Sequence, residues 1–184
     1  MNIFYLDEKP KVAAQMHCDK HVVKMVLEYA QILSTAHRVC DGDEVADREG
    51  LYKATHKNHP SAVWARQSIA NYDWLSDLWG YLGSEYHHRY GKVHKSATIA
   101  WLFYAPDFIP KKAVRSRVSC PPPQCMPDEY KCNPSSASPS DTVSAYQAYY
   151  IGDKARFAKW TKRPTPEWFK GLKTLSPVKS GPLI

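Results

Sequence analysis

Missing from this sequence is any apolar run of the roughly 20 residues that a membrane-spanning helix needs. The first residues also lack the apolar core of a secretory signal, because charged side chains begin at Asp7. We therefore expect a cytoplasmic protein that has no membrane partner.

Two further absences narrow the kinds of site that the chain can hold. The five cysteines are an odd number and include no Cys-x-x-Cys pair, so a secreted disulfide framework is not expected and the thiols are predicted to be reduced. His17 and His21 stand four residues apart, but no His-Glu-x-x-His occurs, and the three cysteines from Cys120 to Cys132 lack zinc-site spacing. We predict neither a metal site nor another cofactor.

Length and charge bound the domain organisation. A chain of 184 residues, 43% hydrophobic and 12% aromatic, has enough apolar side chains for one core. We predict one helical domain over residues 1–172 and a flexible basic tail over 173–184. Residues 154–184 carry eight basic and one acidic side chain, and another basic stretch runs from Arg89 to Arg117. Such stretches suit DNA or a phosphorylated nucleotide as partner, although the solvated surface of any soluble protein can have this composition.

Apolar periodicity predicts an all-α fold, a single compact domain built on two long helices. The first follows a short extended segment, Ile3 to Leu6, and runs from about Lys11 to Arg38 without a helix breaker. The second starts at His59-Pro60, because proline suits the first helical turn, and runs to about His88. A long Pro-rich loop, Pro110 to Pro139, is expected to cross the surface or cover a site. Shorter helices are predicted from Ser96 to Tyr104, from Ser140 and Asp141 to about Tyr150, and from Thr165 onward.

A polar stripe crosses the first long helix. Apolar neighbours such as Val22, Val26 and Leu33 predict that this helix is largely buried. Buried polar side chains need partners, so the stripe predicts either a ligand site or an internal hydrogen-bond network. Its residues are spaced alternately four and three apart, which places them on one helical face. They are His17, His21, Lys24, Glu28, Gln31 and Thr35.

A second polar cluster, His56, Asn58 and His59, stands immediately before the second helix. The free N–H groups of a helix start attract anions, so these side chains suit a phosphate or carboxylate grip; an ordinary capped loop has the same residues. Trp64 and Arg66 follow on the helix. An aromatic ring there can stack a base, although helical spacing favours packing in the core.

The end of the second helix is dense in cations with aromatic rings between them. Its candidate nucleotide contacts are Arg89, Lys92 and His94. Nucleic-acid surfaces often have this composition, and so do helix C-termini, where basic side chains complement the helix dipole and Gly91 ends the helix. The sequence leaves both interpretations open.

Several of these motifs occur together in one known family. The run Asp19-Lys20-His21-Val22-Val23-Lys24, then Glu28 and Gln31, and later Asn58-His59-Pro60 and Trp64, resembles the pyrimidine-dimer DNA glycosylases of the phage endonuclease V type, in a divergent phage and bacterial branch. The resemblance covers roughly residues 1–95. It implies an all-α fold and a DNA repair reaction, in the host cytoplasm if the chain is phage-encoded. In that reaction an amine attacks the sugar C1′ atom, forms an imine and can cleave the strand by elimination.

The catalytic residues of that family do not all recur here. The family's catalytic carboxylate lies between basic residues of the first helix, and here His21 fills that place between Lys20 and Lys24. The best-studied members use the α-amino group of a small second residue, whereas Asn2 is too large to favour removal of Met1.

The resemblance therefore implies several candidates for each role. The amine would come from Met1, Lys20 or Lys24, and the acid–base partner would be Glu28 or His21. His59 would help to bind the phosphate or the flipped nucleotide.

Two other functions stay open at this level. A phage-encoded protein that binds or sequesters a nucleotide or cyclic nucleotide, without lyase activity, would use the polar stripe and the helix start at His59 to hold a phosphorylated ligand. The displaced carboxylate favours that alternative. In a structural or protein-interaction domain, the stripe would be a satisfied core network.

Overall fold

The computed structural model describes residues 1–109, 120–133 and 135–170. Within these residues the all-α prediction is confirmed, since they form seven α-helices and no strand. No helix in this part of the chain is long and apolar enough to cross a membrane. The predicted basic tail, 173–184, lies outside the described residues. The helices are α1 (Pro10–Met16), α2 (Asp19–Cys40), α3 (Asp43–Arg48), α4 (Pro60–Ala65), α5 (Ile69–Tyr90), α6 (Pro139–Tyr149) and α7 (Glu167–Lys170).

The core lies between α2 and α5, the two longest helices, and α1 packs against α5. Both long helices contribute large side chains that are fully buried, including Tyr29 and Leu33 from α2 and Tyr72, Leu75 and Trp79 from α5. Full burial of an aliphatic or aromatic side chain stabilises a fold by about 1.5–3 kcal/mol, so this helix pair is a main source of stability.

The first predicted helix, over residues 11–38, is interrupted, so the prediction of one continuous helix is wrong. α1 ends before His17 and Cys18, whose backbones are extended, and α2 then begins at Asp19. Neither residue breaks a helix by propensity. A tertiary partner replaces the helical hydrogen bond at this point, because the N–H of Asp19 donates to the carbonyl of Lys159 at 2.8 Å.

The second predicted helix, over residues 60–88, is also two helices. The side chain of Ser68 caps α5 by accepting a hydrogen bond from the N–H of Asn71 at 3.1 Å. The side-chain amide of Asn71 in turn donates to the carbonyl of Trp64 at 3.0 Å, near the end of α4. These two bonds satisfy backbone groups that a helix end leaves without partners, so the interruption costs little.

The shorter elements lie close to their predicted places. Residues 95–103 form two 3₁₀ turns instead of one helix, and residues 120–133 of the Pro-rich loop are irregular apart from a turn at Asp128–Tyr130. The rest of that loop, 110–119 and 134, is outside the described residues. α6 is capped by Ser138, not by Ser140, and Asp141 completes a capping box. A π-helical turn, Tyr150–Lys154, follows α6, and α7 confirms the last short helix.

A buried ion network joins four parts of the chain. The guanidinium of Arg89, 2% exposed, donates to Glu85 at 2.8 Å, to Asp19 at 2.9 Å and to the carbonyl of Gln15 at 3.0 Å. Glu85 also accepts from Arg163 at 2.9 Å. Burial raises the pKa of the Glu85 carboxyl, but its hydrogen bonds from the two guanidinium groups outweigh that effect and lower the pKa below 4.5. The two guanidinium groups therefore favour the ionised form of Glu85.

Replacing Arg89 with methionine should lower the free energy of unfolding by about 3–5 kcal/mol, because Asp19 and Glu85 then lose a buried partner. Urea denaturation measures this change. Lys92→Met is the matched control, since Lys92 is exposed just beyond α5 and should change stability by less than about 0.5 kcal/mol. A loss below about 1 kcal/mol in Arg89→Met would show that the network is not a structural anchor.

Candidate active site

A polar pocket of about 240 Å³ opens where the chain start, α2 and the π-helical turn meet. Four of the five candidate catalytic residues, Met1, His21, Lys24 and Glu28, lie in its wall, and Lys20 does not. The residues of the wall come from distant parts of the sequence. They are Met1, Asn2, Phe4, His21, Lys24, Met25, Glu28, Cys125, Tyr149 and Lys154.

Hydrogen bonds of the Asn2 side chain hold the chain start at this pocket. Its amide nitrogen donates to the carbonyl of Cys125 at 2.9 Å. Its oxygen accepts from the hydroxyl of Tyr146 at 2.8 Å and from the N–H of Ile3 at 2.8 Å. These hydrogen bonds of Asn2 position the adjacent residue Met1, which is part of the pocket wall.

The α-amino group of Met1 lies within electrostatic reach of His59, and so does Glu28. Burial lowers the pKa of the His59 imidazole below its usual 6.5, the positive charge of that amino group lowers it further, and the Glu28 carboxylate raises it. His59 itself caps α4, where its Nδ1 accepts from the N–H of Ser61 at 3.2 Å. The Met1 amine and the Glu28 carboxylate thus act electrostatically on one imidazole, which favours its neutral form.

Glu28 supplies the one carboxylate of the pocket wall among the described residues. Its Oε1 accepts from the ammonium of Lys24 at 3.0 Å, one helical turn earlier. The Lys24 side chain is 68% exposed and that of Glu28 is 16% exposed. An ion pair with so exposed a partner contributes only about 0.3–0.5 kcal/mol, so a substrate phosphate can replace it.

His21 is buried and neutral. Burial, and to a smaller extent neighbouring positive charges, lower the pKa of its imidazole to about 3. Its Nδ1 bonds to the hydroxyl of Tyr150, and its ring stacks on Phe4 with 4.2 Å between the ring centres. A neutral imidazole cannot replace the negative charge of a catalytic carboxylate. Glu28 is therefore the better acid–base candidate of the two.

Lys154 and Tyr149 complete the pocket, and the sequence analysis does not single them out. The Lys154 ammonium donates to the Tyr149 hydroxyl at 2.9 Å, lies 4.3 Å from the centre of that ring and pairs with Asp153 at 2.8 Å. Gly152 permits this turn, because a Cβ at that position would collide with Tyr130. The sequence does carry a run of aromatic residues in the capped helix α6, and this run is followed by Lys154. No pattern in the sequence near this run indicates that it contacts α2.

Three predicted binding residues lie in the core instead of the pocket. His17 is fully buried, and its two ring nitrogens have partners inside the protein at 2.7 and 2.8 Å. Arg89 belongs to the ion network described above. Trp64 is buried, and its indole N–H donates to the carbonyl of Cys120 at 3.0 Å. These side chains have satisfied partners, so their polar groups are explained by structure.

The remaining predicted residues stand outside the pocket wall. Lys20 is exposed, with its ammonium 4.8 Å from the ring centre of Phe157. The half-buried Arg66 donates to the carbonyl of Ala62 at 2.8 Å. Of the others, Gln31 and His94 are half-buried, and His56, Asn58 and Lys92 are exposed.

Neither comparisons with known proteins nor a metal site among the described residues indicates the function of this chain. No model of a known protein family matches the chain, and no curated protein or solved structure matches it. Among the described residues, no group of three or more His, Cys, Asp or Glu side chains is placed to hold a metal ion. All five cysteines are free thiols. The resemblance to the glycosylases stays a prediction from the motifs.

The buried histidines should make stability fall below neutral pH. Burial lowers the pKa of His17 to about 4 and that of His21 to about 3, whereas both titrate near 6.5 in the unfolded chain. As pH falls through 6.5, the unfolded state takes up protons that the folded state refuses, so stability present above that pH is lost. Two such groups remove about 2 kcal/mol between pH 6 and pH 5.

Urea denaturation at the two pH values measures this loss, and His21→Gln should reduce it by about half. His56→Gln, which changes an exposed histidine, should leave the loss unchanged. An undiminished pH dependence in His21→Gln would contradict the neutral, buried state of this imidazole.

Proposed function

We propose that this chain is a DNA glycosylase with AP lyase activity, which acts on a damaged or modified base through an amine of the candidate active site. One observation carries the proposal. The fold brings Met1 and the carboxylate of Glu28 into the wall of a single polar pocket, and the α-amino group of Met1 acts electrostatically on the same imidazole as Glu28.

The proposed reaction uses the lone pair of the Met1 nitrogen. This nitrogen forms a bond to the sugar C1′ atom, the glycosidic bond breaks, and the base leaves with the proton that the amine loses. The sugar ring then opens to give an imine, and the Glu28 carboxylate carries the second proton of this nitrogen to the ring oxygen. As a carboxylate, Glu28 next takes a proton from C2′, which eliminates the 3′ phosphate. Water finally hydrolyses the imine and returns the amine.

Lys24 fits the role of nucleophile less well than Met1. Its ammonium donates to Glu28, a bond that uses the protonated form, and a protonated amine has no lone pair. Lys24 is better suited to contact a substrate phosphate, because its side chain reaches solvent at the edge of the pocket.

Borohydride reduction in the presence of duplex DNA with an abasic site should trap a covalent complex, and peptide mapping should place the adduct on Met1. A chain with one residue added before Met1 keeps an α-amine but displaces it, so trapping should be lost. Glu28→Gln should slow trapping by about 10²–10⁴-fold, the usual contribution of acid–base catalysis.

Lys20→Ala is the matched control, because Lys20 is a neighbouring lysine of the same helix that does not line the pocket. It should trap as fast as the unchanged protein. An adduct on Lys24, or full trapping by the extended chain, would contradict the role of Met1. No adduct on abasic DNA or on DNA with ultraviolet dimers would contradict lyase chemistry altogether.

Charge in the pocket favours a second candidate function, nucleotide binding without lyase chemistry. The described wall contains Met1, Lys24 and Lys154 and one carboxylate, that of Glu28, while Asp153 pairs with Lys154 from outside the wall. An excess of cations in a polar pocket attracts a phosphate whether or not a reaction follows.

This second function predicts stabilisation by a free nucleotide. Thymidine 5′-monophosphate or a cyclic dinucleotide at 100 times its Kd should raise the free energy of unfolding by about 2.7 kcal/mol, measured as a higher Tm. Lys154→Met should lose most of that shift, and Lys20→Met should retain it. A nucleotide shift without a borohydride adduct would favour binding over lyase activity, and the absence of any shift would contradict binding.

A further inference from the structure

A second pocket, of about 490 Å³, lies beside the C-terminal end of α2. His37 in its wall is about 24 Å along the helix from His21, at 1.5 Å per residue. Trp101, Tyr104 and Phe108 supply aromatic walls, and the last two are 65% and 74% exposed. Large aromatic side chains grouped at a surface pocket indicate a binding site more often than isolated ones do. No residue of this wall belongs to the candidate active site.

The charged residues of the wall are two carboxylates, Asp41 and Asp107, and one guanidinium, that of Arg48. The side chain of Asp41 is 9% exposed, and its Oδ2 bonds to Nδ1 of His37 at 2.7 Å. Its Oδ1 has only a long contact among the described residues, with the N–H of Phe108 at 3.5 Å. Asp107 stands in the same wall and is exposed. Oδ1 of Asp41 and the carboxylate of Asp107 can therefore accept hydrogen bonds from a ligand.

The surroundings of this pocket are acidic on an otherwise basic protein. Residues 41–49 and Asp107 hold six carboxylates, against a formal net charge of +7 for the chain. Three cationic side chains form ion pairs with carboxylates of this group. Arg38 and Lys53 pair with Asp43 and Asp47 at 2.7 Å, and Arg48 pairs with Glu49 at 2.9 Å. The excess of negative charge disfavours a phosphate at this pocket and favours a cation.

We propose that this second pocket binds an organic cation, an ammonium group carried on an aliphatic chain as in a polyamine. The aromatic rings of Trp101, Tyr104 and Phe108 can attract an ammonium group, and methylene groups can pack against the same rings. Asp41 and Asp107 accept its N–H groups. An inorganic cation gains nothing from the aromatic wall. This site is independent of the proposed glycosylase function.

Calorimetric titration with spermidine at constant ionic strength tests the proposal. Spermidine should bind the unchanged protein, and the double variant Tyr104→Ala with Phe108→Ala should bind at least about tenfold more weakly, as expected for the loss of two cation–aromatic contacts. Both side chains are largely exposed, so the double variant should keep its fold. Tyr81→Ala, which removes an exposed aromatic side chain outside this pocket, should bind like the unchanged protein.

Three results would overturn the proposal. These are equal affinity of the double variant for spermidine, equal binding of Mg²⁺ at the same ionic strength, and tighter binding of Nα-acetyl-lysine methylamide than of spermidine. The last would show that a lysine side chain of a protein partner, and not a polyamine, is the occupant.

Discussion

The guanidinium of Arg89 is the interaction on which the arrangement of this molecule depends. It bonds to the last turn of α1, to the first residue of α2 and to α5, and its partners Asp19 and Glu85 bond in turn to Thr161 and Arg163. The start of α2 is thereby fixed against the core helix α5. Since α2 carries Lys24 and Glu28 at defined heights along its axis, the same ion network sets where these side chains stand. A buried charge with so many partners resists sliding of one helix past another, because each alternative register leaves it unpaired.

The polar stripe of the first helix divides into two parts with different physical roles. At its ends, His17 bonds to the hydroxyl of Tyr29, which also accepts from the N–H of Phe4, and Thr35 accepts from the N–H of Thr55. In its middle, Lys24 and Glu28 remain accessible and meet the anchored chain start and Lys154. The hydrogen bonds of His17 and Thr35 fix the helix without using Lys24 and Glu28. These two side chains therefore stay accessible at the pocket. Internal hydrogen bonds thus account for the ends of the stripe, and its middle lines the polar pocket.

The sequence predicts the helices well and their interruptions badly. Periodicity identifies the long helices because most of their apolar faces are buried, whereas the cap of α6 is Ser138 and not the predicted Ser140. The break before Asp19 was not predictable, because its cause is a hydrogen bond to Lys159, distant in the chain. For the same reason, His21, Lys24 and Glu28 could be predicted, because they share one helical face. Tyr149 and Lys154 could not be predicted, because they reach the pocket only through folding. Arg89 and Trp64 were predicted as binding residues because composition does not reveal burial.

The two pockets beside α2 differ in charge. Cations gather around the pocket near its N-terminal half, and carboxylates gather at the pocket near its C-terminal end. This separation of charge points in the same direction as the macrodipole of α2. The two contributions therefore combine into one permanent electric dipole along the helix. In the negative potential that surrounds a polyanion, such a molecule turns while it is still diffusing, and its cationic end leads. The charge asymmetry therefore acts on the orientation of an encounter before the first contact is made.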